Sequence, residues 1–103
     1  MGYTATLLGS IGLSGGDSIR LYSVSPDAAT GDITISDVAY AYPIGIIPLI
    51  EDSAANSQVA VQALKDVTTH NNIDFKLWQA ANSAAATNFK DFQVTVLCKE
   101  TAI

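Results

Sequence analysis

The chain is short of charge, sulfur and histidine. Charged residues fill 15% of its 103 positions, against roughly a quarter in an ordinary globular domain. Five are basic and ten acidic, for a net charge of −5. That leaves too little positive charge for an open basic patch and disfavours nonspecific nucleic-acid binding by charge alone. The single cysteine, Cys98, excludes an intrachain disulfide and a multi-cysteine zinc cluster, and it fits a reducing compartment. No metal-ligand spacing occurs, so neither a metal nor a cofactor is expected. No apolar run reaches the roughly 18 residues of a membrane span, and the N-terminus lacks the basic start of a secretory signal. These absences lead us to expect a cytoplasmic protein without a membrane partner.

What is abundant is apolar surface. Hydrophobic residues make up 49% of the chain. A single domain of this length buries only about 60–70% of its unfolded surface. The excess points to a subunit interface, hence to a homo-oligomer.

Residues 33–50, ITISDVAYAYPIGIIPLI, hold the densest run of β-branched and aromatic side chains, a composition that suits a pleated, half-buried surface. Apolar residues alternate from Ile33, and the phase slips by one near Ser36 and Asp37, as a β-bulge requires. Pro43 and Pro48 place the later part at an edge, a bend or an end. The stretch 44–50 reads as core or subunit interface. Residues 3–8 form a strand candidate, and the four glycines of 9–16 read as a flexible loop between strands. The segments 18–24 and 32–42 are expected to pair as antiparallel strands. Residues 58–69 fit helix and strand alike, and the β-branched residues of their second half favour strand. Residues 73–79 alternate cleanly, 80–88 are small and polar, and Phe92, Val94, Val96 and Cys98 mark a terminal strand. The expected fold is all-β, a small, strongly bent barrel of five to seven strands in one domain over 1–103. An α+β fold is the alternative if 58–69 or 80–88 is helical.

Chemistry-bearing residues are sparse. His70 lies in the turn His70-Asn71-Asn72 without a partner at catalytic spacing, and Cys98 alternates with apolar residues as a small buried hydrophobe does. The chain therefore reads as a non-enzyme. Tyr40 and Tyr42 share one strand face, and Lys76 and Trp78 share another. Aromatic rings beside cations grip single strands by stacking bases at roughly 1–3 kcal/mol each. The same residues serve equally well as core or interface anchors. A closed ring would repeat Arg20 or Lys76 around one pore.

Gly31 and Asp32 opening ITISDVAYAY make a strand–turn–bent-strand order that resembles the first half of the Sm/LSm small β-barrel family, with Gly31 at that family's glycine and Asp37 at its acid. Tyr40 comes one position late, Ala41 stands where the family has Asn, and His70-Asn71-Asn72 replaces its Arg-Gly signature. The short, alanine- and threonine-rich, charge-poor style also resembles an ocean-metagenome family of suspected cyanophage origin with an Sm-like fold. The resemblance implies a ring closed by edge strands, and single-stranded RNA or DNA as the candidate ligand. Together with the aromatic and cationic pairs read from the strand faces, it makes Arg20, Asp37, Tyr40, Tyr42, His70, Asn71, Asn72, Lys76 and Trp78 the candidate contacts. The expected function is a non-enzymatic oligomeric binding or scaffold module in phage-related nucleic-acid processing, in the cytoplasm of an infected host cell if phage-encoded. The alternative is a virion structural protein, a decoration or neck subunit, with no nucleic-acid role.

Overall fold

The computed structural model describes residues 3–35, 42–50, 58–66, 68–69, 71–79, 85–87 and 89–99. They form seven strands and, among the described residues, no helix: β1 (Thr4–Gly12), β2 (Ser18–Ser25), β3 (Thr30–Thr34), β4 (Tyr42–Leu49), β5 (Gln58–Lys65), β6 (Asn72–Gln79) and β7 (Phe92–Lys99). The all-β expectation holds, with the segment 58–65 a strand. The strands divide into two antiparallel sheets, one four-stranded in the order β1-β2-β7-β4 and one three-stranded in the order β3-β6-β5.

Two expectations need correction. The segments 18–24 and 32–42 do not pair: β2 lies between β1 and β7, and β3 pairs with β6. Of the stretch 33–50, the described parts belong to different sheets, β3 to the three-stranded one and β4 to the four-stranded one, and residues 36–41 between them lie outside the described residues. The proposed bulge at Ser36 and Asp37 lies outside the described residues, whereas bulges interrupt β1 at Leu8 and β4 at Ile44. Nor is 9–16 all loop. Gly9 and Gly12 belong to β1, and only the tight connection after it, where Gly15 and Gly16 hold φ near +95°, uses glycine's left-handed freedom.

Alternation decides what is buried. β7 turns Phe92, Val94, Val96 and Cys98 inward, β2 turns Tyr22 and Val24, and β6 turns Ile73, Phe75 and Leu77. These side chains meet between the sheets, where Val24, Leu77, Val94, Val96 and Cys98 are fully buried. A lone buried thiol in this position packs as a small hydrophobe.

Tyr3 locks the two sheets together. It precedes β1 of the four-stranded sheet, yet its backbone N–H donates to the Asp32 carbonyl of the three-stranded sheet at 3.2 Å, and its hydroxyl donates to the Ala28 carbonyl at 2.9 Å. Its ring stacks on Phe75 at 5.9 Å and meets Phe92 edge-on at 6.4 Å, while Phe75 and Phe92 are themselves edge-to-face at 5.7 Å. Gly31 is what lets the ring in, because a Cβ there would run into the Tyr3 ring carbons.

β4 and β5, edge strands of different sheets, flank an apolar groove of about 330 Å³ lined by Pro43, Ile44, Ile46, Ala63, Leu64 and Ile73. A closed barrel would need a ladder across this seam. Pro43 and Pro48 withhold two of the N–H groups β4 could offer.

Two outcomes test the Tyr3 lock. Gly31→Ala should destabilise the protein by about 1–3 kcal/mol in chemical denaturation, the usual cost of overpacking. Burial first, and the Asp27 carboxylate second, push the Tyr3 hydroxyl up to about 12. A folded-state pKa above the unfolded value near 10 contributes stability that is complete below pH 10 and drains away as pH rises toward 12. The melting temperature should therefore fall across that window in the wild type and fall less in Tyr3→Phe.

Candidate functional site

Of the nine residues nominated from sequence, the structure brings three onto one surface. β6 alternates so that Asp74, Lys76 and Trp78 are partly exposed on the side away from the core, with the buried Asn72 at the start of the same row. The neighbouring strands extend this outer face of the three-stranded sheet. Thr30 and Gln62 flank Lys76, Asp32 and Leu64 flank Asp74, Thr34 stands beside Asn72, and Ala60 stands beside Trp78. The Lys76 ammonium sits 4.3 Å from the Trp78 ring centroid, a cation–π contact worth about 0.5–1 kcal/mol at an exposed site.

The remaining candidates are dispersed. Arg20 lies on β2 in the row of Ser10 and Val96, on the inward side of the other sheet, and its Nη1 donates to the Tyr22 hydroxyl at 3.5 Å. Asn71 is in the turn before β6, where its carbonyl accepts from the Ile35 N–H at 2.8 Å. Tyr42 opens β4 opposite Lys99. Asp37, Tyr40 and His70 lie outside the described residues.

Sequence reasoning missed the acidic cluster at the end of this face. The Asn72 amide donates to Asp32 Oδ2 at 2.9 Å and Asp66 Oδ2 at 3.2 Å, and Asp74 Oδ1 stands 3.4 Å from the same nitrogen. The Asn72 carbonyl oxygen accepts from the Thr34 hydroxyl at 3.2 Å. An amide nitrogen carries two protons, so three carboxylates compete for them. Asp66 gains further support, since the backbone N–H groups of Thr68 and Thr69 donate to its Oδ1 at 2.8 and 3.1 Å. Those two bonds, Thr69 first, together with the Asn72 amide hold the Asp66 carboxyl below the usual carboxylate range. Asp74 has the opposite fate: desolvation, then repulsion from Asp66 and Asp32, push it up. The only signal in the sequence was the alternation of Asn72 and Asp74 with Ile73, since Asp32 and Asp66 arrive from distant segments.

The amide of Asn72 sits among the three carboxylates. Among the described residues no group of three or more His, Cys, Asp or Glu is arranged to hold a metal ion. With three carboxylates against Lys76, the face attracts cations and repels phosphates at its Asp74 end. One face of the Trp78 ring is already engaged by Lys76. No protein-family model, no curated protein and no solved structure matches the chain.

The two carboxylates should respond oppositely to substitution. Asp74→Asn should raise the melting temperature at pH 7, because a raised folded-state pKa makes the ionised form a liability above the unfolded value near 3.8, and the gain should vanish on acidification below that value. Asp66→Ala should lower the melting temperature at pH 7. Its lowered folded-state pKa contributes stability present above the unfolded value and lost as pH falls through the folded one. Thermal melts of both variants from pH 7 down to about 3 check the pair.

Proposed function

We propose that this chain is a non-enzymatic scaffold module that works by associating with further copies of itself, on a small Sm-like β framework. The observation that carries this is the placement of its large aliphatic side chains. Leu7, Leu8, Ile11, Ile44, Ile47 and Leu49 are each about half exposed or more, and all belong to β1 and β4, the two edges of the four-stranded sheet. Leu64 on β5 is the one comparably exposed aliphatic of the three-stranded sheet among the described residues, and apolar side chains concentrated as they are on the four-stranded one mark a surface meant to be covered. β1 and β4 run in opposite directions. A copy added edge-on would continue the antiparallel alternation, but Pro43 and Pro48 leave β4 two N–H groups short for such a ladder. A virion structural subunit, a decoration or neck protein, is one scaffold of this kind.

Single-strand binding would rest on Trp78 with Lys76. The neighbouring Asp32, Asp66 and Asp74 weigh against it.

Light scattering at rising protein concentration should show a species larger than one chain. Trp78 fluorescence should stay unchanged when a single-stranded oligonucleotide is added at low salt. A single-chain species at every concentration would overturn the scaffold role. A salt-sensitive fluorescence response would bring back the nucleic-acid role.

A further inference from the structure

We infer that the outer face of the four-stranded sheet is a self-association surface on which a second copy of the chain packs face to face. This rests on the scaffold role proposed above and specifies its contact. The strand registers lay out that face as cross-strand rows. Ile11, Ile19, Leu97 and Gly45 form one, Gly9, Leu21, Thr95 and Ile47 the next, and Thr6, Ser23, Gln93 and Leu49 the third. Bulges at Leu8 and Ile44 keep β1 and β4 in phase with the central strands across these rows. Ile11 is 65% exposed, Ile47 71% and Leu49 68%.

Charge selects this face as the place where a second copy can meet the first. The chain carries −5, so two copies repel unless they meet where no carboxylate stands. None of the three rows holds a charged side chain. Beyond them Lys99 is paired with Asp17 at 3.4 Å. The outer face of the other sheet would bring the carboxylates of Asp32 and Asp74 against those of its mate. Shape agrees with charge. Sheets pack face to face about 10 Å apart, and Gly9 and Gly45 leave the rows low at opposite edges. Four strands about 4.8 Å apart and three rows about 7 Å apart span roughly 400 Å² of flat sheet per copy. Two such faces total about 800 Å², below the roughly 1,000 Å² of a stable specific interface, so the contact belongs to the weak, transient class.

The alternative contact is edge-on, β1 of one copy against β4 of the next. Pro43 and Pro48 blunt it, because two of the eight residues of β4 have no N–H to donate. Burial of the rows needs no backbone donor.

Sedimentation velocity of the full chain from about 1 to about 200 micromolar tests the inference. The wild type should pass from one chain to two with rising concentration. Ile47→Lys and, on the far strand, Ile11→Lys should each weaken that association at least about tenfold, since each would bury an unpaired ammonium. Both positions are exposed, so far-UV circular dichroism and the melting midpoint at low concentration should not change. Leu64→Lys, on the outer face of the other sheet, should associate as the wild type does. Association that survives both lysines overturns the face-to-face contact while leaving the scaffold role standing. A wild type that stays single throughout overturns both.

Discussion

The fit of the Tyr3 ring against Gly31 is the contact on which the rest of the arrangement depends. Tyr3 belongs by chain order to the four-stranded sheet, but its amide, its hydroxyl and one face of its ring are all engaged by residues 28–32 and Phe75 on the opposite side. A hairpin sheet of four strands could slide over a three-stranded one if only aliphatic side chains lay between them, because burial is roughly proportional to area and has no direction. Hydrogen bonds and an edge-to-face aromatic trio do have direction. With Tyr3 fixed, Phe75 and Phe92 face each other, and the period of two decides every other inward residue of β6 and β7.

The same constraint sets the character of the two outer faces, since whatever is not inward on an alternating strand is outward. On the three-stranded sheet that rule gives Asn72, Asp74, Lys76 and Trp78. On the four-stranded sheet it gives Ile19, Leu21 and Leu97 in the middle, with Ile11 and Ile47 at the flanks. A polar outer face is the ordinary condition of an antiparallel sheet in water. The apolar one is the departure. The crowding around Asn72 has a related cause. Three carboxylates converge where β3, β6 and the end of β5 come together, and they compete for the two protons of a single amide.

What could be read from the sequence was local. The period-two runs at 73–79 and 92–98 identify their strands and inward residues, because each is central in its sheet and has one buried face. Cys98 as a packed hydrophobe follows from the same alternation. Lys76 and Trp78 two residues apart had to share a face. Misreading set in at the edges, where burial no longer enforces a pattern. β1 is exposed along most of its length, so Gly9 and Gly12 looked like loop although they continue the strand. Pairing was equally out of reach. β2 meets β7 across some seventy residues of sequence, and the apolar stretch 33–50 changes sheets partway, which no local period can announce. Arg20 was grouped with Lys76 on charge alone, and topology separates them. The acidic cluster failed for the opposite reason, since Asp32, Asp66 and Asp74 each look like an ordinary solvated carboxylate until three segments converge.

The prolines of β4 tie these threads together. Closing seven strands into one barrel would require β4 to hydrogen-bond β7 on one side and β5 on the other. A strand in which two of eight residues lack an N–H can complete one ladder but is a poor member of two. The seam beside β5 therefore remains a groove lined by side chains, and β4 remains an edge. An edge that cannot easily extend its ladder is protected against open-ended strand addition, the usual hazard of exposed apolar strands. Yet Ile47 and Leu49 on that same strand still present their side chains to water. Blocked in the plane of the sheet and apolar perpendicular to it, the strand favours contacts that stack sheets over contacts that extend them. Stacking two faces closes on itself after one copy, whereas edge addition can continue indefinitely. In the face-to-face contact proposed above, a charge-poor chain would form a finite assembly rather than an open-ended one.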